Sequence, residues 1–189
     1  MIEFIEEGHY YLLDGVIVPS VSEIIRFKFP EAYAGIPEQI LKKKATYGTK
    51  LHRTIEEFIE GECSLQDIQK RRIDPNIKIA VEEFERLRRE WIFSIDKVEQ
   101  IVHWGDHYAG TFDLKCKDGL IIDLKSTSEV HMDWLQLQLS LYYMADNNPQ
   151  KHGYCMWFPK GSPGKVIQVE TLSFDECKEI VKDFEASRK

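Results

Sequence analysis

Residues 110–127, GTFDLKCKDGLIIDLKST, constrain what this chain can fold into more than any other stretch. Two alternating runs rich in apolar residues, 112–116 and 120–125, flank Lys117-Asp118-Gly119. A three-residue connection ending in glycine suits a type I turn followed by a left-handed residue, which glycine adopts without steric cost. That loop length predicts a β-hairpin in which Cys116 faces Leu120, Leu114 faces Ile122 and Asp113 faces Asp123. Because side chains alternate along a strand, Phe112, Leu114, Cys116, Leu120, Ile122 and Leu124 are expected on one apolar face. Asp113, Asp123 and Lys125 are expected on the other. A two-residue turn at Asp118-Gly119 would shift the register by one and undo the pairing.

Two carboxylates directly opposed across a ladder repel each other. A fold tolerates them when a cation or a shared proton sits between them. Hard divalent ions, Mg²⁺ or Mn²⁺, suit such oxygens and keep open positions for water and phosphate. Lys125 is then placed to hold or deprotonate an attacking water, or to offset charge on a phosphorane-like transition state. The plain alternative is an exposed hairpin face bearing ordinary charges.

At 189 residues, 43% hydrophobic and 30% charged, the chain is expected to form one soluble domain over residues 1–189 with a core of its own. It carries no apolar run of membrane-spanning length, and its start, MIEFIEEGHYY, is acidic, unlike a signal or transit peptide. Cys63, Cys116, Cys155 and Cys177 form no C-x-x-C pair, so buried free thiols and a cytoplasmic location are expected. The formal charge of −7 argues against indiscriminate coating of nucleic acid. Residues 39–54 nevertheless hold no acid, while Lys42, Lys43, Lys44, Lys50 and Arg53 make them a candidate phosphate-binding patch or a solvated face.

Along the chain, 9–13 and 16–18 flank Asp14-Gly15, a strong two-residue hairpin signal. Ser20 and Glu23 have capping-box spacing for a short helix to about Phe27, ended by Pro30. Further helices are expected over 37–46, over 49–60 after Gly48, over 65–70 and over 75–92 behind an Asp74 cap. In the second of these, Leu51, Ile55, Phe58 and Ile59 make an apolar stripe with His52 and Glu56 on one flank. Neutral imidazole can ligate metal, although a histidine beside an apolar stripe is more often structural. In the fourth, Ile79, Phe84, Leu87 and Trp91 are the expected core and Arg86, Arg88 and Arg89 a solvated face. A strand over 97–104 leads into the central hairpin, with Glu99 a candidate to face the site in a role left open. His103 and His107 straddle a strand end and do not converge as a zinc pair. After 126–128 come a helix over 132–146 carrying Gln138 and Tyr142, strands at 154–158 and 165–171, and a final helix capped by Ser173 and Glu176. This order suggests an α/β domain, a mixed sheet of about five strands flanked by helices.

Four motifs in order resemble the PD-(D/E)XK nuclease superfamily, and within it the RecB-like exonuclease branch. They are Gly48-x-x-x-His52, Gly110-Thr111-Phe112-Asp113, Asp123-Leu124-Lys125 and Gln138-x-x-x-Tyr142. The His9-x-Tyr11 hairpin running into Pro19-Ser20-Val21-Ser22 is similar to the start of phage-type and mitochondrial genome maintenance exonucleases. The resemblance spans nearly the whole chain and implies a restriction-endonuclease-like core. It further implies that His52, Asp113, Asp123 and the Leu124 carbonyl bind Mg²⁺ or Mn²⁺ and that Lys125 is the catalytic lysine. Gln138 and Tyr142 would support the site or the DNA, and Lys50, Arg53 and Ser20 are candidate DNA contacts. The active-site strand carries Asp rather than Glu at its second acidic position, which the branch commonly allows. The cysteine spacing differs from that of the iron–sulphur relatives, so no iron–sulphur cluster is expected, and the helicase domains of larger relatives are absent. The implied activity is a metal-dependent DNA exonuclease acting on single strands or ends in phage or bacterial recombination or repair. Its implied partners are DNA and a recombination protein, with no membrane. The alternatives are a structure- or sequence-specific endonuclease on the same fold and a non-catalytic DNA-binding module.

Overall fold

The computed structural model describes residues 1–8, 10–33 and 37–188. A small antiparallel sheet joins β1 (Ile2–Ile5), β2 (Tyr10–Leu13) and β3 (Val16–Val18) in sequence order. The larger sheet holds β4 (Ile95–Trp104), β5 (Tyr108–Cys116), β6 (Ile121–Lys125), β7 (His152–Trp157) and β8 (Lys165–Glu170), also in sequence order. All of its neighbours are antiparallel except β6 and β7. That parallel pair needs a crossover, and α5 (Met132–Ala145) supplies it. The architecture is therefore the mixed α/β arrangement that the element order suggests.

Both faces of the larger sheet are covered. On one, α1 (Val21–Lys28), α5 and α6 (Phe174–Ser187) bury Ile24, Leu139 and Val181 against Ile121 and Cys155. On the other, α2 (Glu38–Ile59), α3 (Leu65–Lys70) and α4 (Pro75–Glu90) bury Leu51, Ile68 and Phe84 against Ile122 and Met156. Each such side chain contributes about 1.5–3 kcal/mol by leaving water. The four cysteines are free and buried, two in each core.

Several expectations need correction. The helix does not stop at Gly48: α2 runs unbroken through it, since one interior glycine costs only about 1 kcal/mol against two good flanking segments. The core stripe of α4 is Ile77, Ala80, Val81, Phe84 and Leu87, whereas Ile79 and Trp91 are 54% and 44% exposed. Arg88 and Arg89 are not merely solvated, for both clamp the buried carboxylate of Glu85. Strand β1 went unpredicted, and it pairs the acidic N-terminal run with β2. His9 lies outside the described residues.

Candidate active site

The central hairpin closes as its turn chemistry requires. Gly119 sits at φ 90°, its N–H donates to the Cys116 carbonyl at 2.9 Å, and the Cys116 N–H donates to the Leu120 carbonyl at 2.8 Å. Leu114 pairs with Ile122, the expected register. Continued one step, that register would give the backbone of Leu124 to Phe112. Two side chains take it instead. The Leu124 N–H donates to Asp113 Oδ2 at 2.5 Å, and its carbonyl lies 3.0 Å from His52 Nε2. The site is therefore built where the β5–β6 ladder opens.

The neighbouring ladder changes character at the same level. Val98 belongs to the α2/α4 core, but Val102 and Trp104, of the same parity, belong to the α1/α5/α6 core. Across the ladder, Leu114 and Cys116 lie in the first of these cores and Phe112 and Tyr108 in the second. Phe112 thus does not share a face with Leu114 as simple alternation predicts. The switch falls at Glu99, whose φ of 45° is left-handed, and at Asp113 opposite it. A left-handed non-glycine residue costs roughly 1–2 kcal/mol. Such strain persists where surrounding structure imposes it, and it clusters at functional sites.

The twist brings Glu99 to His52. His52 Nδ1 lies 3.3 Å from Asp113 Oδ1 and 3.6 Å from Glu99 Oε1. One ligand atom from each of His52, Glu99 and Asp113 can be chosen so that all lie within 4.8 Å of one another. Ligands on opposite sides of an ion held at about 2.0–2.6 Å are about 4–5 Å apart, so this spacing fits one hard divalent cation. Burial disfavours charge on His52, but Asp113 and then Glu99 outweigh it and raise its pKa well above the usual value. Burial likewise pushes Asp113 up, and the positive charge of His52 and Lys125 with the Leu124 N–H brings it below the usual carboxylate value.

Asp123 lies outside this three-residue cluster, paired with Lys125, and is 2% exposed. Lys125 Nζ is 2.9 Å from its Oδ1 and 2.8 Å from its Oδ2. Only Oδ1 has hydrogen-bond geometry, so Oδ2 is a buried carboxylate oxygen that meets a charge but no aligned donor. Burial raises Asp123 to about 6, against the pull of Lys125. Burial opposes charge on Lys125, and Asp123 with Asp113 overcomes it, raising its pKa. Gln138 then orients the ammonium, accepting from Nζ at 3.0 Å while its Nε2 donates to the Tyr142 hydroxyl at 3.1 Å. Burial and Asp113 hold Tyr142 well above the usual phenol range, so it stays neutral.

The fold therefore gathers His52, Asp113, Asp123, the Leu124 carbonyl, Lys125, Gln138 and Tyr142, and adds Glu99 in a defined place. Glu99 shares its strand with Asp96, Lys97, Gln100 and His103, so the only signal for it was an acid on the strand that pairs with the hairpin. Lys50 and Arg53 do not join the cluster, because at 3.6 residues per turn they lie on the flank of α2 away from His52. Ser20 does not join it either. Its hydroxyl donates to Glu23 Oε2 and accepts from the Glu23 N–H as the N-cap of α1. His103 and His107 go separate ways, to the Gly105 carbonyl and to Glu185.

No protein-family model matches the chain, and no curated protein matches it. Solved structures do match, among them the crystal structure of SSO0001, at 13% identity and a TM-score of 0.39 over 86% of this chain and 83% of that one. That likeness bears on no residue's role. Among the described residues, no helix is long and apolar enough to cross a membrane.

Proposed function

We propose that this chain is a divalent-metal-dependent DNA exonuclease of the PD-(D/E)XK type, RecB-like branch, acting on single strands or ends. The observation that carries the reading is the juxtaposition of Asp113 and Asp123 with Lys125, at a buried position where Asp123 Oδ2 lacks an aligned donor. That oxygen lies 2.8 Å from the Lys125 ammonium and keeps lone pairs with which it could ligate a metal. His52, Glu99 and Asp113, whose ligand atoms converge within 4.8 Å, would hold Mg²⁺ or Mn²⁺, with Asp123 and the Leu124 carbonyl completing an oxygen-rich set by analogy with the branch. When bound, the ion supplies Lewis-acid polarisation of a phosphodiester and a water of lowered pKa.

The remaining chemistry belongs to side chains. Lys125 is charged and aimed by Gln138, so its ammonium can hold a water beside a phosphorus atom or offset charge that develops on the phosphoryl oxygens. Asp123 fixes the near side of that ammonium. Tyr142 fixes Gln138, so Lys125 has little freedom to leave. Biological setting follows only by analogy with the branch, as phage or bacterial recombination or repair alongside a recombination protein.

The test is degradation of end-labelled linear single-stranded DNA beside closed circular single-stranded DNA, with Mg²⁺, Mn²⁺ or EDTA and with Lys125→Ala as control. Metal-dependent loss of the linear substrate alone, slowed at least about a hundredfold in the variant, supports the exonuclease reading. Cutting of the circle transfers the assignment to an endonuclease. Binding of DNA without any cleavage sinks the catalytic reading and leaves a binding module.

A further inference from the structure

The flank of α2 away from His52 borders a cavity of about 560 Å³. Six cationic side chains line it, Lys43, Lys50, Arg53, Arg71, Arg72 and Lys160, against two carboxylates, Glu57 and Asp74. Both carboxylates are already engaged. Glu57 is ion-paired with Arg71 and Arg53, and Asp74 caps α4 through the Asn76 N–H, with Lys160 at 3.7 Å. Lys43, Lys50 and Arg72 are exposed and have no hydrogen-bond or ion-pair partner among the described residues. Lys160 is held over the groove, its Nζ 3.8 Å from the ring centroid of Tyr47. In a chain of net charge −7, such a concentration of unneutralised cations runs against the average and calls for an anionic occupant.

The spacing indicates which kind. Lys43 and Lys50 are two helical turns apart, about 10 Å along the axis, too far to converge on one phosphate but suited to successive phosphates of a chain. The groove also opens at the same end of the sheet as the candidate active site. The Phe158 N–H donates to the Lys125 carbonyl at 2.7 Å, and Lys160 follows Phe158 by two residues, at most about 7 Å of chain.

We propose that this groove binds the phosphodiester backbone of a single nucleic-acid strand, holding the part that extends away from the Asp123–Lys125 pair. The identity of the ligand rests on the nuclease reading, and the groove deepens it by giving the strand a path around α2.

The test is fluorescence anisotropy of a labelled oligothymidylate in EDTA across a salt series, so that no cleavage intervenes. Lys50→Glu/Arg72→Glu alters two exposed side chains without internal partners, and circular dichroism checks its fold. The expected result is a loss of affinity of at least about tenfold, with the slope of log affinity against log salt shallower by about 1.4 for two lost contacts. Lys117→Glu/Lys151→Glu, two exposed lysines in the β5–β6 turn and just before β7, makes the same change in net charge and should leave both quantities unchanged. Unaltered affinity and slope in Lys50→Glu/Arg72→Glu, or an equal loss in Lys117→Glu/Lys151→Glu, overturns the proposal. Failure of the nuclease reading would be seen separately, as intact DNA when the wild-type protein is given metal, and would not alter the binding result.

Discussion

The ring of Tyr142 lies so close over Gly110 that a Cβ built on that glycine would stand 2.7 Å from Cε1, with Val21 Cγ2 at 2.8 Å on the same side. The glycine of the Gly110-Thr111-Phe112-Asp113 motif is therefore a packing requirement of the aromatic that aligns Gln138. Gly110→Ala should destabilise the protein by about 1–3 kcal/mol, as overpacking does. Urea denaturation would show a lower midpoint at unchanged slope. A midpoint equal to wild type would mean that the ring moves freely, and that its hold on Gln138 is weak.

Glu99 separates two effects in a single pair of variants. Glu99→Ala and Glu99→Gly both remove the carboxylate, but only glycine takes φ 45° without cost. Without metal, the glycine variant should be more stable than the alanine variant by about 1 kcal/mol. Both should show a smaller Mn²⁺-induced rise in melting temperature than wild type, since stabilisation follows ligand affinity. A full Mn²⁺ response in both would remove Glu99 from the metal site.

Lys125→Ala should lower the turnover of DNA cleavage by about 10²–10³-fold, the usual scale for one electrostatic group at a transition state. Its Mn²⁺ binding, read by calorimetry, should persist, because Lys125 is not a ligand. Loss of metal binding together with activity would recast the lysine as a structural partner of Asp123.

The pH dependence of the metal-free protein has a definite sign. Asp123 titrates in the fold at about 6, above the unfolded value, so its contribution is full below about pH 4 and declines as pH rises through 6. His52 is raised above its unfolded value of about 6.5, so its contribution is full below that pH and lost as pH climbs through the higher folded value. Asp113 is lowered and acts oppositely, but only at the acid end, below about pH 4. Melting in EDTA should therefore fall from about pH 5 to about pH 8, and Asp123→Asn should flatten the lower part of that decline. A melting temperature that climbs over this range would contradict the assignment.

The hairpin register was legible because one glycine at a fixed offset dictates the turn, and Leu114 opposite Ile122 follows from it. Asp113, Asp123 and Lys125 came with that register. Phe112 was misplaced because alternation assumes every φ is extended, and no local signal marks Glu99 as left-handed. That conformation is imposed by the tertiary site. Gly48 read as a break because glycine is a poor helix former, yet neighbours on both sides outweigh it. Ile79 and Trp91 fit one of several apolar phases of α4, and only the placement of α2 and the sheet selects among them. His52 and Gln138 lay in patterns that many helices share, and the contacts to Leu124 and Lys125 that distinguish them span 72 and 13 residues.

The continuity of α2 through Gly48 makes a single rod of what the sequence divides in two. His52 rides on one side of that rod, and Lys43, Lys50 and Arg53 ride on the other, all on twenty-two residues of unbroken hydrogen-bonded backbone. Leu51 and Ile55, both fully buried, seat that rod on the sheet, so the spacing between the imidazole and the basic side chains is set by helix geometry with no joint at Gly48.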